Sequence, residues 1–292
     1  MRYDMNINEL RKVGTDRLTD AGIRDAAIDA ALLLEHVLSV RKDYLLAHGD
    51  EQAEESKSSE YLEYIDRRCK HIPLQQLTGH QEFMGLDFKV SEAVLIPRQD
   101  TECLVEEAMI EIGDGMKVLD LCTGSGCIII SLAKYKNDLL AVGTDISEEA
   151  LAIAEGNADL NGVEVSFIRG DLYDGLHKTE SKENGIPERY DAIVSNPPYI
   201  ATSVIDTLME EVREHEPLMA LDGGEDGLIF YRRIIDGADG HLMPGGVILF
   251  EIGYDQGRAV SELLEDKGYR DIQVIKDLAG LDRVVKAHRP LM

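Results

Sequence analysis

The sequence predicts an α/β protein with a mainly parallel seven-stranded sheet and a small N-terminal helical bundle. From about residue 97 onward, strand patterns alternate with helical patterns, as is typical of parallel sheets with helices on both faces. Residues from about 6 to 72 show helical periodicity. We therefore divide the 292 residues into a helical domain (1–72), a hairpin connector (73–96) and an α/β domain (97–292).

The helical domain is predicted to contain four helices. Hydrophobic residues recur at helical spacing from Ile7 to Leu18, and Gly22 ends this first helix. Asp25 is placed to cap a second helix, and residues 44–46 suggest a short third one. The charged, amphipathic stretch 51–70 forms the fourth, before Pro73 breaks the helical pattern.

The connector changes to a period of two around Gly85, which predicts a β-hairpin. Residues 94–96 are predicted to form another short strand, and Asp100 is placed to cap the first helix of the α/β domain. The polar segment 177–188 is predicted to be a surface loop. The strands of the sheet are expected near residues 117–121, 140–144, 164–168, 191–195, 246–252, 271–276 and 282–287.

The acidic charge balance disfavours two classes of protein, those that bind nucleic acid and those that bind anionic membranes. The formal net charge is −26, from 30 Lys+Arg against 56 Asp+Glu. Because non-specific nucleic-acid affinity comes from basic side chains that neutralise phosphates, this balance disfavours direct binding to nucleic acid, and also to anionic membranes. The N-terminus lacks the apolar segment of a signal peptide, and no run approaches the length of a membrane span. We expect a cytoplasmic monomer without membrane association.

The cysteines and histidines argue against a metal site. No two cysteines form a C-x-x-C pair, and no two histidines have metal-ligand spacing. We therefore expect reduced thiols and no metal at the four cysteines, which are Cys69, Cys103, Cys122 and Cys127.

The most informative stretch, Asn196–Tyr199, has the sequence Asn-Pro-Pro-Tyr and follows the predicted strand 191–195. Asn196 Oδ1 and the Pro197 backbone oxygen can each accept a hydrogen bond from one planar –NH2 group, and Tyr199 can lie on its face. Two such acceptors would point the nitrogen lone pair at an electrophile. The stretch therefore predicts a holder for an amide or a base amine. The alternative is a strand that ends in a plain Pro-Pro turn.

Polar residues also follow the three preceding strands. Strand 117–121 leads into the glycine-rich turn Cys122–Gly126, whose backbone a ligand can approach. Asp145 follows the second strand, where a carboxylate can accept from both hydroxyls of a ribose. After the third strand, Asp171 is placed to accept from an adenine amine and Leu172 to cover the ring. Asp120, just ahead of the turn, is placed to pair with a cation such as an α-amino group.

For any one of these residues, a tight turn or a helix cap is an alternative. As an ordered set at the carboxyl ends of four strands, they indicate a ligand site. Ile129 stands where the dinucleotide fingerprint has its third glycine, and Asp120 suits a cation better than a phosphate. S-adenosylmethionine therefore fits the set better than a dinucleotide.

With these motifs, the sequence closely resembles the HemK/PrmC family of peptide chain release factor glutamine methyltransferases, within the class I S-adenosylmethionine-dependent enzymes. The resemblance covers nearly the whole chain. Two positions depart from the family pattern, since Cys122 stands where glycine is common and Gln99 where proline is usual. Besides Asp145, the resemblance rests on segments 73–79, 94–102, 120–126, 170–171, 196–199, 216–217, 220–221, 223–224, 226–228 and 251–253.

The resemblance implies a Rossmann-like methyltransferase fold and methylation of the glutamine N5 in the Gly-Gly-Gln motif of class 1 release factors, in support of translation termination. It implies that the helical domain helps to grip that partner. It implies that Asn196, Pro197 and Tyr199 are catalytic and that Asn196, Pro197, Pro198 and Tyr199 hold the glutamine. The implied contacts of S-adenosylmethionine are Cys122, Thr123, Gly124, Ser125, Gly126, Asp145, Asp171, Leu172 and Asn196.

Two alternatives stay open. Nucleic-acid amino-methyltransferases acting on adenine or guanine share the Asn-Pro-Pro-Tyr motif. A degenerate methyltransferase fold that acts only as a binding partner would have lost its cofactor through Cys122. Four charged residues are either cleft residues or structural ion pairs and caps, namely Arg98, Glu102, Glu216 and Glu251.

Overall fold

The computed structural model describes residues 5–176 and 189–291, and its chain divides into two compact units. The first comprises Met1–Gly79 and Met209–His215, and the second His80–Leu208 and Glu216–Met292. The segment 177–188, predicted to be a surface loop, lies outside the described residues. Within the described ranges, no helix is both long and apolar enough to cross a membrane.

Helices make up the first unit and flank the sheet of the second. Those of the first unit are α1 (Ile7–Asp20), α2 (Ala26–Leu38), α3 (Lys42–Ala47), α4 (Glu55–Arg68) and α5 (Leu74–Thr78), joined by the later α10 (Glu210–His215). Those of the second unit include α6 (Gln99–Glu111), α7 (Cys127–Tyr135), α8 (Glu148–Asn161), α9 (Thr202–Ile205), α11 (Leu218–Leu221), α12 (Ile229–His241) and α13 (Gly257–Asp266).

The first unit extends to Gly79, past the boundary predicted at residue 72. Pro73 stands at the N-cap of α5, where its missing N–H costs no helical hydrogen bond, so it begins a helix, whereas α4 has already ended at Arg68. The buried Arg68 joins α10 to this unit, because its guanidinium donates to Asp29 at 2.7 Å and to Glu211 at 2.5 Å.

The second unit contains a hairpin and a seven-stranded sheet. The predicted hairpin is confirmed, with β1 (His80–Phe83) and β2 (Leu86–Lys89) pairing antiparallel across Met84 and Gly85. The strands of the sheet are β3 (Lys117–Leu121), β4 (Leu140–Asp145), β5 (Ser166–Arg169), β6 (Tyr190–Ser195), β7 (Leu242–Glu251), β8 (Arg270–Lys276) and β9 (Asp282–His288).

The sheet has the order β5-β4-β3-β6-β7-β9-β8 and is parallel except at β9, which runs antiparallel to both of its neighbours. This confirms the predicted mainly parallel sheet. From β3 the chain builds outward through β4 and β5 on one side, and later through β6 and β7 on the other. Such a reversal of strand order leaves a crevice at the carboxyl ends of the strands, where ligands bind in open α/β sheets.

Both faces of the sheet are covered, as predicted. Alternate residues of β3 point to opposite sides, so that Leu119 and Leu121 join a core with α12 and α13, and Val118 joins a core with α6, α7 and α8. The two buried faces explain the continuous apolar runs of β3 and β6.

Two local predictions are wrong. Residues 94–96 form no strand, since Val94 and Ile96 bury their side chains in an irregular segment that leads into Pro97. Asp100 is not the cap of α6, because the N-cap is Arg98 and the helix begins at Gln99. Asp100 lies in the first helical turn, where its carboxylate pairs with Arg283 at 3.1 Å.

The packing of α1 on α4 gives a test of the first unit. A Cβ added at Gly14 would lie 2.0 Å from Tyr61 Oη, and Tyr61 is fully buried and donates to the Ala30 carbonyl. We expect Gly14→Ala to lower the free energy of unfolding by about 1–3 kcal/mol, because an overpacked core must shift. Thermal unfolding followed by circular dichroism measures this.

The matched control is Gly156→Ala in α8, where nothing lies within 4 Å of an added Cβ. It should leave stability unchanged or raise it by up to about 1 kcal/mol, through the better helix propensity of alanine. A Gly14→Ala variant as stable as the parent would contradict the described packing.

Candidate active site

A cavity of about 620 Å³ opens at the carboxyl ends of β3, β4, β5 and β6. Its volume lies in the range of pockets that bind small molecules. Gly126, Pro197 and Tyr199 lie off its wall. The predicted site residues that line it are Cys122, Thr123, Gly124, Ser125, Asp145, Asp171, Leu172, Asn196 and Pro198.

The turn after β3 presents its backbone to the cavity. Gly124 has φ +55°, and a Cβ added there would meet nothing within 4 Å, so a ligand can approach the main chain directly. Gly126 has φ +80° and is the N-cap of α7, which begins at Cys127. The turn therefore combines an open backbone at Gly124 with a helix that begins three residues later, at Cys127.

Cys122 also has a left-handed backbone, with φ +60°. A residue with a Cβ costs about 1–2 kcal/mol there relative to glycine. Its side chain lines the cavity and packs against the core beneath β3. Burial, reinforced by the nearby Asp145 and Asp120, raises the pKa of the thiol, so the side chain stays neutral.

The Asp145 carboxylate is held by two backbone donors. The N–H of Gly124 donates to Oδ2 and that of Ser147 to Oδ1, each at 2.9 Å. Burial raises the pKa of this carboxyl, and the hydrogen bonds oppose the rise. The cap of α8 is Ser147, whose hydroxyl accepts from the Ala150 N–H at 3.1 Å, so Asp145 is not a helix cap. Its remaining lone pairs suit two hydroxyl donors.

Asp120 lies beneath the turn, fully buried and off the cavity wall. The Thr123 hydroxyl donates to its Oδ2 at 2.6 Å, whereas Oδ1 has no hydrogen-bond partner among the described residues. Burial raises the pKa of this carboxyl to about 7. The structure thus places Asp120 where it shapes the turn, rather than where it could pair directly with the α-amino group of a ligand.

The turn after β5 brings Asp171 and Leu172 to the cavity, as predicted. Arg233 of α12 donates to Asp171 Oδ2 at 2.8 Å, which leaves Oδ1 to accept from another donor. Leu172 is buried with φ +54°, so a strained turn presents its side chain to the wall.

Asn196 reaches the cavity from the end of β6. Its Nδ2 donates to Thr101 Oγ1 at 3.4 Å, so the donor end of the amide faces α6. The preceding Ser195 donates its hydroxyl to the Leu121 carbonyl at 2.6 Å, which ties the end of β6 to the end of β3. Tyr199 is half-buried and donates to Glu251 Oε1 at 3.3 Å.

The structure also places the four charged residues of uncertain role. Glu102 accepts from the Met84 N–H at 2.6 Å and thereby holds the hairpin turn. Arg98 lines the cavity and pairs at 2.5 Å with Glu216, whose side chain is fully buried. Glu251 is buried beside Tyr199, and burial raises the pKa of its carboxyl to about 7.

Sequence reasoning missed Thr101, Phe230 and Arg233, which line the cavity from helices α6 and α12. The sequence analysis relies on polar residues at strand ends, and it misses these three because they lie on helices. Thr101 does stand in the segment 94–102 that carries the family resemblance. In the described part of the chain, no group of three or more His, Cys, Asp or Glu side chains is arranged to hold a metal ion.

Together the geometry places an open backbone, a carboxylate for two hydroxyls and an asparagine amide around one cavity.

A family model described as the PrmC N-terminal domain matches residues 9–79, and one described as the methyltransferase small domain matches residues 99–225.

Curated relatives match most of the chain. A release factor glutamine methyltransferase of Clostridium acetobutylicum is 43% identical over 265 residues, covering 89% of this chain and 90% of the relative. One of Moorella thermoacetica is 43% identical over 278 residues, covering 94% and 95%. The crystal structure of a methyltransferase from Pyrococcus furiosus has a TM-score of 0.53 at 18% identity, over 71% of this chain and 91% of that one, which shows a shared fold.

The buried Asp120 gives a pH-dependent test of the site. An unfolded aspartate titrates near pH 4 and the folded Asp120 near 7, so the free energy of unfolding falls as the pH rises between these values. Asp120→Asn removes this titration. At each pH, urea unfolding gives the free energy of unfolding of Asp120→Asn minus that of the parent chain. We expect this difference to rise by roughly 2 kcal/mol from about pH 5 to about pH 8.

Asp114→Asn serves as the control. A side-chain hydrogen bond from Asn137 lowers the pKa of the exposed Asp114 carboxyl. This carboxyl is therefore already ionised at the low end of the pH range tested. Its stability difference from the parent should therefore be constant over the same range. A constant difference for Asp120→Asn as well would contradict the burial assigned to that carboxyl.

Proposed function

The chain belongs to the release factor glutamine methyltransferase family, and on that premise we propose that it methylates the glutamine N5 of the Gly-Gly-Gln motif in class 1 release factors. The observation that carries this proposal is the Asn196 amide at the cavity wall, with its donor end turned toward Thr101. The proposal places a monomeric, metal-free enzyme in the cytoplasm, where translation terminates.

The cavity wall fits S-adenosylmethionine as the cofactor. Asp145 would accept from the ribose hydroxyls, and the open backbone at Gly124 admits close contact along the turn. Asp171 and Leu172 would hold the adenine, through a carboxylate oxygen and an apolar cover. Cys122, Thr123, Ser125 and Asn196 complete the contacts, with Gly126 shaping the turn. When bound, S-adenosylmethionine supplies a methyl group on a positively charged sulfur.

The residues at the end of β6 would activate the glutamine. An amide nitrogen is a poor nucleophile because its lone pair is delocalised into the carbonyl. Asn196 Oδ1 and the Pro197 carbonyl would each accept a hydrogen bond from one N–H of this nitrogen and turn its lone pair toward the methyl group. Pro198 stiffens this segment and Tyr199 would cover the planar amide. Once it carries the methyl group, the nitrogen is cationic and would lose one proton to water, so no strong base is required before the transfer.

The helical unit would help to hold the release factor. Ile28 and Leu32 are one helical turn apart on α2 and are both exposed, at 59% and 41%. Leu46, at 65%, adds another exposed apolar side chain on α3. Contiguous exposed apolar patches mark contact surfaces for protein partners, and the proposal assigns these side chains to such a surface.

The rival functions predict different acceptors. A nucleic-acid amino-methyltransferase would need basic groups along its substrate, and the net charge of −26 weighs against it. A binding partner without catalysis would transfer no methyl group to any acceptor. The release factor glutamine methyltransferases at 43% identity support the protein substrate.

A labelled-methyl assay decides among these functions. The enzyme is incubated with S-adenosylmethionine and, in parallel, with a class 1 release factor, ribosomal RNA and DNA. We expect label only in the release factor, with mass spectrometry locating one methyl group on the glutamine of Gly-Gly-Gln. Asn196→Ala should lower kcat by about 10²–10³-fold, as expected for loss of one oriented acceptor.

Two controls sharpen the assay. A release factor with Gly-Gly-Glu lacks the –NH2 group and should take no label. Asn161→Ala, at the end of α8, should keep parental turnover, because that asparagine bonds backbone carbonyls of Asp87 and Asn157. Label in nucleic acid, or transfer to no acceptor at all, would reject the proposed substrate.

A further inference from the structure

The turn after β5 and the helix α12 supply neighbouring residues to the cavity wall. The turn contributes Asp171 and Leu172, and α12 contributes Phe230 and Arg233. In the proposed function the two turn residues hold adenine, whereas Phe230 and Arg233 have no role. The contacts of Arg233 give it one.

Buried contacts next to Arg233 fix the turn and the helix to each other. Tyr173 of the turn is buried and donates to the Ile234 carbonyl at 2.9 Å. Its ring stacks on His241 with the centroids 4.5 Å apart, and a Cβ added at Gly237 would lie 2.5 Å from it. None of these contacts involves Arg233, so the turn should keep its place on α12 when Arg233 is replaced.

The Arg233 guanidinium joins the two elements at the cavity. Its Nη2 donates to Asp171 Oδ2 at 2.8 Å, and its Cζ lies 5.7 Å from the centroid of the Phe230 ring. The face of an aromatic ring attracts a cation at this distance. The guanidinium is therefore held by a carboxylate on one element and by a ring of its own helix.

This ion pair is placed for the cavity rather than for stability. The side chains of Arg233 and Asp171 are 42% and 40% exposed, and ion pairs in contact with solvent contribute little to folding. The next residue, Arg232, forms a similarly exposed pair with Asp226, but Arg232 lies off the cavity wall. The two pairs differ in what they face.

The contact with Arg233 determines how the Asp171 carboxylate presents itself to a ligand. A guanidinium only donates hydrogen bonds, and an ionised carboxylate only accepts them. With Oδ2 engaged by Arg233, Oδ1 is the oxygen left to accept, and no group among the described residues donates to it. The exocyclic amine of adenine complements such an acceptor, whereas a purine without that amine would leave it unpaired.

We propose that Arg233 is a positioning residue for the cofactor, which holds the Asp171 carboxylate as an oriented acceptor and so makes the cavity selective for a base with an exocyclic amine. The inference rests on the proposed function, because it takes the ligand of this cavity to be S-adenosylmethionine. Arg233 acts through Asp171, whereas the proposed methyl transfer takes place at Asn196. Base selectivity should therefore depend on Arg233, and turnover at saturating cofactor should not.

Calorimetry with two ligands tests this selectivity. S-adenosylhomocysteine, which remains after the methyl group has left, carries the amine, and an analogue with purine in place of adenine carries only hydrogen there. We expect the parent chain to bind S-adenosylhomocysteine about tenfold to a hundredfold more tightly than the analogue, as for one hydrogen bond to a charged group.

Arg233→Met keeps the length of the side chain and removes its charge and its donors. The Kd for S-adenosylhomocysteine should rise about threefold to tenfold, because the carboxylate must then be ordered on binding. The Kd for the purine analogue should stay within about twofold of the parent value. A general disturbance of the fold would weaken both ligands alike, so the difference between them reports positioning.

The chain offers a matched control and a conservative variant. Arg232→Met makes the same substitution one residue earlier, away from the cavity, and should leave both Kd values at those of the parent. Arg233→Lys keeps a cation that can pair with Asp171, and it should bind S-adenosylhomocysteine more tightly than Arg233→Met does. If Arg233→Met does not fold, Arg233→Gln carries the same expectations.

A double-mutant cycle shows whether Arg233 acts through the carboxylate. Asp171→Ala should itself weaken S-adenosylhomocysteine about tenfold or more. Adding Arg233→Met to Asp171→Ala should raise the Kd no further. With a release factor as acceptor, Arg233→Met should raise the KM for S-adenosylmethionine and leave kcat within about twofold of the parent value.

The outcomes separate this inference from the proposed function. An Arg233→Met variant that keeps the parental Kd for S-adenosylhomocysteine, or that weakens both ligands equally, would overturn the positioning role. A further loss in the double mutant would overturn it too. If the parent chain binds S-adenosylhomocysteine selectively but methylates no release factor, the proposed substrate fails and the role of Arg233 stands. A parent chain that does not bind S-adenosylhomocysteine would overturn both.

Discussion

The parallel pairing of β3 with both β4 and β6 is the constraint on which the rest of the structure depends. Its register sets Leu121 beside Thr144 and beside Ser195, so the chain leaves all three strands at one edge of the sheet. The turn after β3, Asp145 at the end of β4 and Asn196 after β6 therefore meet around a single cavity. Three hydrogen bonds hold this edge: Gly124 donates to Asp145, Thr123 to Thr144 and Ser195 to Leu121.

Several groups at or near this edge of the sheet lower the free energy of unfolding. Asp120, Asp145 and Glu251 are buried carboxyls whose pKa values are all raised mainly by loss of solvent. Buried acids without full compensation lower the free energy of unfolding at neutral pH. Cys122 adds a left-handed backbone at a position with a side chain. Asp145 and Cys122 line the cavity and Asp120 lies beneath its turn, as is expected when a site trades stability for function.

Local patterns predicted the architecture because burial leaves a periodic signal. Two-sided burial made β3 and β6 continuous apolar runs, and one-sided burial gave the hairpin its period of two. The segment 94–96 was misread because Val94 and Ile96 are buried without a partner strand. Asp145 and Asn196 could be predicted because they lie at strand ends. The contact of Asn196 with Thr101 could not be predicted, since it joins a strand end to a distant helix, and pairing between remote residues leaves no periodic trace in one sequence.

The central claim is that two carbonyl oxygens at the end of β6 hold a side-chain –NH2 group. A crystal structure of the enzyme with a Gly-Gly-Gln peptide and a non-reactive analogue of S-adenosylmethionine tests it most directly. The account predicts that Asn196 Oδ1 and the Pro197 carbonyl each lie about 3 Å from the glutamine side-chain nitrogen, within hydrogen-bond distance. A complex in which those oxygens face elsewhere, or in which no carboxamide lies near the methyl donor, would contradict it.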